Sequence, residues 1–385
     1  MGLNKYLELC SLGYRLFRNG QLTFRKLATL TANGYAAALR RPTAGRSPSA
    51  LILEPINTCN LRCTGCGFAL SGALSGKVYP TASLTLESFK TIIDDVKDDL
   101  LFLVLENGGE PFLNPRLLEM VRYAYDQHVP TITSTNGDFP TGEAWGERIV
   151  TSGLDTLIVS ISGHDNESHQ LYHQRGHFDR VMANLMKITA AKRTLSSRHP
   201  EIVLRFIQTR QNVASVDIVR RAYKEWGVDK FDVRRTETHQ FVYTKATDGK
   251  VDIKIHGGET KVYPNFCSNL YFIPDVLVDG TIYPCCFTYL FPPSLGNVLS
   301  DGGIKSVWNG TKYRGLREAM KKNRMAIPSC TACEGGLGYQ GENWNRPLKF
   351  EISTPYLKGP APRHHDEYDR DAAKAASAEA EIANT

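Results

Sequence analysis

Hydrophobic residues follow two spacings along the middle of the chain, from about residue 50 to residue 236. Short apolar runs bounded by turn residues predict buried strands, and apolar residues three and four positions apart predict helices between them. The predicted strands cover residues 51–56, 100–106, 131–134, 156–162, 202–208 and 230–236. This alternation predicts an α/β fold with a parallel sheet, either open or curved into a barrel.

Both ends of the chain depart from that alternation. Residues 5–41 predict one or two amphipathic helices. After about residue 245, Gly, Pro, aromatic residues and Cys dominate, with a strand–turn–strand predicted near 276–283 and one helix over 304–322. The last residues are polar and rich in Ala, Asp and Glu, which predicts disorder or a frayed helix. We therefore expect a basic helical extension at residues 1–48 and a core at 49–245. A cysteine-bearing domain is expected at 246–350, and a polar tail at 351–385.

The composition is that of a soluble globular protein, with 42% hydrophobic and 22% charged residues. No apolar run approaches the roughly 20 residues of a membrane-spanning helix, and the N-terminus lacks the features of a secretory signal. These observations predict a cytoplasmic protein.

The net charge of +6 is concentrated at the N-terminus, where residues 1–46 hold eight basic residues and one acidic residue. The rest of the chain is nearly neutral, so we expect no nucleic-acid partner. Two interpretations of the basic extension remain open. It could bind peripherally to an anionic membrane, or its helices could cover the core with their charges in solvent.

Three cysteines form a tight group directly after the first predicted strand. Cys59, Cys63 and Cys66 have the spacing C-x3-C-x2-C. Three thiolates on one loop can bind three irons of a [4Fe–4S] cluster and leave the fourth iron open to another ligand. A structural zinc site requires four ligands, and no fourth cysteine or histidine is nearby.

By this motif the chain resembles the radical S-adenosylmethionine (SAM) superfamily. The resemblance implies a partial (β/α)6 barrel of the TIM type and a SAM molecule that chelates the open iron. It also implies an electron donor such as flavodoxin or ferredoxin, and reductive cleavage of SAM to methionine and a 5′-deoxyadenosyl radical. One departure is Gly65, where many members have an aromatic residue; the hopanoid-type lipid enzymes of the superfamily share this glycine.

Further candidate residues follow the later strands. Gly108, Gly109 and Glu110 come after the second strand, and the resemblance implies that this motif holds the amino group of SAM. Asn136 and Ser160 end the third and fourth strands, and Arg175 follows; each is a candidate SAM contact. An ordinary turn, a helix cap or a surface ion pair would explain the same residues without a ligand.

A second group of cysteines lies in the C-terminal third and resembles the auxiliary-cluster domain called SPASM, or its shorter form called twitch. The resemblance implies one auxiliary [4Fe–4S] cluster. Its expected ligands are Cys267, Cys285, Cys330 and Cys333, with Cys286 as an alternative to Cys285. Zinc is the rival occupant, because four thiolates also make a closed zinc site.

The resemblance implies hydrogen abstraction but does not identify the substrate. It assigns no catalytic residue. The first hypothesis is oxidation of a small polar or sugar-like molecule. Peptide (RiPP) modification is the second, and chemistry on a lipid, a glycolipid or another lipid-linked substrate is the third. The non-enzyme alternative is an iron–sulfur electron carrier, against which the Gly-Gly-Glu motif argues, because a carrier needs no SAM pocket.

Overall fold

The fold is described from a computed structural model of the chain. It describes residues 20–64, 66, 82–209, 211–235, 242–247, 250–254, 265–285, 294–327 and 330. These residues belong to the first of two units, Met1–Phe350. The predicted tail at residues 351–385 lies outside the described residues.

Six parallel strands form the centre of the protein in the order in which they occur along the chain. They are β1 (Ala50–Leu53), β2 (Phe102–Val104), β3 (Thr131–Thr135), β4 (Thr156–Ile161), β5 (Glu201–Gln208) and β6 (Lys230–Arg235). The predicted α/β fold with a parallel sheet is therefore confirmed. The first strand ends earlier than expected, and Ile56 makes only an isolated bridge to Ser83.

One helix precedes β1, and the others lie between the strands; these helices cover one face of the sheet. They are α1 (Phe24–Ala38), α2 (Leu86–Val96), α3 (Leu117–Asp126), α4 (Trp145–Thr151), α5 (Asn166–Gln170), α6 (Phe178–Thr194) and α7 (Val213–Ala222). Leu157, Val159 and Ile161 of β4 pack in the same apolar core as Val181 and Leu185 of α6. The alternate strand residues therefore point to the opposite, helix-free face.

Three short strands extend the same sheet beyond β1. β9 (Asp275–Val276) pairs parallel with β1, and β10 (Thr281–Tyr283) joins β9 to β11 (Gly296–Asn297) by antiparallel pairing. The predicted strand–turn–strand is confirmed. Its turn needs glycine, because Gly280 has φ +83° and a Cβ there would lie 2.7 Å from Leu299. The sequence pattern missed a separate hairpin of β7 (Val242–Thr247) and β8 (Lys250–Lys254).

The single helix predicted over residues 304–322 is wrong. After the short α8 (Asn269–Phe272), the chain forms two helices, α9 (Ile304–Trp308) and α10 (Thr311–Lys322). The break comes at Asn309, whose side chain accepts from Ala44 N and donates to Gly45 O. Gly310 follows in an extended conformation. A tertiary contact with the N-terminal linker thus overrides local helix propensity.

Helix α1 packs against the core through its basic residues. The buried Asp99 accepts from Thr29 at 2.9 Å, from Arg46 at 2.7 Å and from Arg25 at 3.3 Å. Lys26 donates to His128 O at 2.7 Å, and burial lowers the pKa of its ammonium group to about 8. These contacts agree with an extension that covers the core. Among the described residues, no helix has the length and apolar character needed to cross a membrane.

Candidate active site

Cys59, Cys63 and Cys66 lie on one loop after β1, and each is half-buried. Burial raises the pKa of the Cys59 thiol to about 11, and neighbouring Glu110 and Cys66 raise it further. Burial also raises the pKa of Cys63, with Cys66 and Cys59 adding to the effect. Within the described ranges, no three His, Cys, Asp or Glu side chains are already gathered as a metal-binding group.

This set of donors fits an iron–sulfur cluster. Three thiols that repel one another when ionised need a compensating cation before all can carry charge, and a bound metal supplies it. The loop offers three thiols, one fewer than the ligands of a closed zinc site. A [4Fe–4S] cluster held in this way keeps one iron open to a further ligand.

Two neighbouring segments hold the cysteine loop. On one side, Asn60 Nδ2 donates to Asp138 O at 2.5 Å, just after β3. On the other side, Thr64 N donates to Tyr172 O at 2.9 Å, in the turn after α5. Arg62 closes the loop on itself, because its Nη1 donates to Cys59 O and Leu61 O. The loop is therefore attached to the segment just after β3 and to the turn after α5.

The glycines of the Gly-Gly-Glu motif allow close backbone packing beside the same loop. A Cβ on Gly109 would lie 2.3 Å from Ile56 O and 2.6 Å from Thr58 O, so only glycine fits. Gly108 N donates to the buried Glu54 carboxylate at 3.1 Å. The motif thus lies directly against the segment that leads into Cys59.

The Glu110 carboxylate is buried and bonded within the protein. It accepts from Thr135 Oγ1 at 2.8 Å, from Asn136 N at 2.7 Å and from Phe112 N at 3.2 Å. Burial raises the pKa of this carboxyl group to about 7, against the effect of these hydrogen bonds. The carboxylate therefore joins the end of β2 to the end of β3, and its direct contact with SAM stays a prediction.

The other predicted SAM contacts lie at different distances from the loop. Asn136 is buried, and its Nδ2 lies 2.9 Å from Asn60 Oδ1 and 3.8 Å from Cys59 Sγ. Ser160 is half-buried on the helix-free face of β4. Arg175 is exposed, with φ +68°, in the turn that holds the loop. Gly65 and Cys333 lie outside the described residues.

Sequence reasoning missed a buried histidine pair beneath that turn. Ser162, just after β4, lies with its Oγ 2.7 Å from His173 Nδ1. The rings of His169 and His173 stack at 4.5 Å, and burial lowers the pKa of both. Two neutral histidines thus support the turn. Their positions four residues apart, in and just after a short helix that follows a strand, were the available signal.

Sequence reasoning also missed the charged residues on the helix-free face of the sheet. The carboxyl groups of Glu54 and Asp275 are buried beside Gly108 and Asn107. Across the sheet, Arg205 of β5 pairs with Asp232 of β6 at 3.1 Å. The alternation of side chains along the strands places each of them on that face. They were missed because charged residues interrupt the apolar runs from which buried positions are predicted.

The described C-terminal cysteines come from three separate segments. Cys267 precedes α8, Cys285 follows β10, and Cys330 follows the 3-10 turn Arg324–Ala326. Cys285 and Cys267 both lie close enough to the buried Tyr313 to help raise the pKa of its hydroxyl, although burial is the larger cause. The fold therefore brings two of the predicted ligands to one side chain of α10.

A buried arginine organises this region. The Arg317 guanidinium lies 4.6 Å from the Trp308 ring centre and 4.9 Å from that of Tyr313. It donates to Leu270 O at 2.8 Å and to Pro42 O at 3.1 Å. Burial lowers the pKa of the guanidinium to about 10. The N-terminal linker and the cysteine-bearing segments are thus joined through one cation.

Two family models match the two parts of the chain that carry the cysteine groups. The radical SAM superfamily matches residues 53–200, which include the first cysteine loop and the Gly-Gly-Glu motif. The iron–sulfur cluster-binding domain called SPASM matches residues 267–334, which include all four predicted auxiliary ligands.

Curated relatives match across both parts. The mycofactocin maturase MftC of Mycobacterium tuberculosis is 29% identical, over 82% of this chain and 82% of that protein. The AdoMet-dependent heme synthase of Methanosarcina barkeri is 28% identical, over 71% of this chain and 85% of that protein.

A solved structure shows the same fold. Streptococcus suis SuiB, bound to the precursor peptide SuiA, has a TM-score of 0.58 at 17% identity and covers 84% of this chain and 79% of its own. The two cysteine groups, the strand-end motifs and the matches to both domains agree. The chain therefore belongs to the radical SAM superfamily, as an enzyme with a C-terminal SPASM domain and with SAM and [4Fe–4S] clusters as cofactors.

Proposed function

We propose that the protein is a maturase, which modifies a precursor peptide by hydrogen-atom abstraction. The observation that carries the proposal is the match to a mycofactocin maturase over 82% of both chains. The similarity runs through the SAM domain and the cysteine-bearing domain, so it extends beyond the chemistry shared by the whole superfamily. A peptide therefore replaces the small polar molecule as the preferred substrate.

The helix-free face offers the donors and acceptors that an extended peptide needs. Ser134 and Ser160 are half-buried there, as is Arg205. The buried carboxyl groups of Glu54, just after β1, and of Asp275 on β9 lie at the other side of the sheet and make it acidic there. Ligands of barrel folds bind at the C-terminal ends of the strands, and a peptide backbone presents both N–H and C=O groups along its length.

Within this proposal, Cys59, Cys63 and Cys66 hold the cluster that binds SAM. Gly108, Gly109, Glu110, Ser160 and Arg175 are the proposed contacts to SAM. When bound and reduced by a donor such as flavodoxin or ferredoxin, these cofactors supply the 5′-deoxyadenosyl radical that abstracts hydrogen. The protein positions the substrate beside them and excludes water. A second cluster is assigned to Cys267, Cys285, Cys330 and Cys333.

A porphyrin is the second candidate substrate. The match to a heme synthase covers 85% of that protein at 28% identity, almost the similarity of the maturase. A porphyrin would meet the same polar face through its carboxylates, and Arg205, which pairs with Asp232, is a candidate partner for them.

The two candidates can be separated with the reconstituted enzyme, SAM and a chemical reductant. One reaction contains a mycofactocin precursor peptide, and the other contains iron coproporphyrin. We expect the peptide to change mass and to increase 5′-deoxyadenosine formation at least tenfold over the reaction without substrate. An unchanged peptide, together with stimulation by the porphyrin, would overturn the maturase assignment.

Peripheral membrane contact by the N-terminal extension stays a prediction. Phe24 and Tyr35 on α1 and Leu39 just after it are exposed, but Arg25 and Lys26 are bonded to the core. Sedimentation with anionic liposomes at low and high salt would test it. Full-length protein that stays in the supernatant at low salt would remove the membrane contact and much of the case for a lipid substrate.

A further inference from the structure

Asn136 presents an amide group to the first cysteine of the cluster loop. Its Nδ2 lies 3.8 Å from Cys59 Sγ and donates to Asn60 Oδ1 at 2.9 Å. Its Oδ1 accepts from Asp138 N at 2.9 Å. The Nδ2 group has two hydrogens, so one is available for each of the two partners.

The orientation of this amide is fixed by its partners. The backbone N–H of Asp138 can only donate, so Asn136 Oδ1 must face it. Asn60 is fixed in the same way, because its Nδ2 donates to Asp138 O and its Oδ1 therefore faces Asn136. A flipped Asn136 would place an oxygen against the sulfur and two N–H groups face to face. The side chain therefore points an N–H group at Cys59.

The backbone around Asn136 is held as firmly as its side chain. Asn136 N donates to Glu110 Oε2 at 2.7 Å, and Glu110 is fully buried. The next residue, Gly137, has φ +68°, and its carbonyl accepts from Asn184 Nδ2 at 2.8 Å. The amide is thus preorganised before a cluster or SAM binds.

A metal-bound thiolate has no proton to donate, so it can only accept hydrogen bonds. Leu61 N at 3.5 Å and Asn136 Nδ2 at 3.8 Å are the N–H donors that the structure gives to Cys59 Sγ. Reduction adds negative charge to a cluster, and donors to its sulfurs stabilise the reduced state. This contact therefore favours uptake of the electron that SAM cleavage requires.

We propose that Asn136 is a positioning residue that hydrogen-bonds the Cys59 thiolate of the SAM-binding cluster and raises its reduction potential, with Glu110 holding Asn136 in place. The role concerns the cluster and is independent of the substrate. It differs from the direct SAM contact expected for Asn136 from the sequence.

The test is an EPR-monitored redox titration of the anaerobically reconstituted full-length protein, following the signal that changes when SAM is added. Asn136→Leu removes the donor at similar volume, and Asn136→Ser keeps a polar group too short to reach the sulfur. Asn184→Leu is the matched control, since Asn184 supports the same turn through Gly137 O and Phe139 O.

We expect both Asn136 variants to keep their iron and to show a roughly tenfold lower ratio of reduced to oxidised cluster at a fixed potential, equivalent to about 59 mV for one electron. The Asn184 variant should match the parent. Unchanged potentials in the Asn136 variants, or an equal fall in Asn184→Leu, would overturn the proposal. Loss of the cluster from Asn136→Ser would also overturn it and indicate a purely structural role. Weaker SAM binding at unchanged potential would restore Asn136 as a SAM contact.

Discussion

The two cysteine groups are built in different ways. Cys59, Cys63 and Cys66 lie within one loop, which backbone and amide hydrogen bonds attach to the ends of β3 and α5. Cys267, Cys285 and Cys330 come from three separate segments, and two of these cysteines, Cys267 and Cys285, lie near the buried Tyr313.

The difference shows what each site requires from the rest of the protein. A loop with all its ligands close in sequence loses little conformational entropy when it binds a cluster. Ligands spread over more than sixty residues must first be brought together by a folded core. The first site should therefore survive damage to the core packing that destroys the second.

The largest effect is expected from removal of the first group. Changing Cys59, Cys63 and Cys66 together to Ala should abolish formation of 5′-deoxyadenosine, because the iron that binds SAM is lost. Chromatographic detection of 5′-deoxyadenosine under reducing conditions measures this. The matched control is Cys267→Ala with Cys285→Ala, which should still cleave SAM. Cleavage by the triple variant would contradict the assignment of the first group.

Arg317→Leu should separate the two regions by stability. The change leaves the carbonyls of Leu270 and Pro42 without their donor, so we expect a loss of about 3 kcal/mol or more. Denaturant unfolding measures the loss, and Arg314→Leu on the exposed side of α10 is the control. Iron should be lost from the second site first. Equal loss from both sites would contradict the proposed difference between them.

Glu110→Ala should weaken SAM binding about ten- to hundredfold while the iron content is kept. A charge-assisted hydrogen bond from the ammonium group of SAM to a buried carboxylate contributes about 1.5–3 kcal/mol. Equilibrium binding of SAM to the reconstituted protein measures the change. Thr135→Val removes one donor to Glu110 and should bind SAM nearly as the parent does. Unchanged affinity in Glu110→Ala would exclude Glu110 from the SAM site.

The smallest effect concerns Glu54, which bonds to Gly108 of the core and Val278 of the C-terminal domain. Burial raises the pKa of its carboxyl group from 4.5 to about 7. The folded state therefore binds more protons than the unfolded state across this window, and stability should fall as pH rises through it, by about 1–3 kcal/mol. Glu54→Gln should flatten this part of the unfolding profile, whereas Glu119→Gln on the surface should not. An unchanged profile in Glu54→Gln would show that the carboxyl group titrates normally.

The sequence predicted features that depend on local spacing. The six parallel strands followed from short apolar runs, and the strand–turn–strand near residues 276–283 followed from its short strands around a turn. The helix break at Asn309 could not be predicted, because it depends on Ala44 and Gly45. The turn that holds the loop, at Tyr172 and its neighbours, is likewise a tertiary contact.

The site shows the same limit. Spacing identified the three thiols of the first loop, and the family resemblance made Glu110 and Asn136 candidate contacts to SAM, which stay predictions. The structure shows them bonded to each other and to the loop. A carboxylate at a strand end can bond a ligand or a neighbouring backbone N–H, so the bonds that Glu110 makes within the protein could not be predicted from the sequence.

The central claim is that each cysteine group holds its own iron–sulfur cluster, and iron analysis of the anaerobically reconstituted protein tests it most directly. At four irons per cluster, we predict about eight irons per chain, and about four in each of the Cys59/Cys63/Cys66 and Cys267/Cys285 variants. Zinc in the second site, or about four irons in the unaltered protein, would contradict the account.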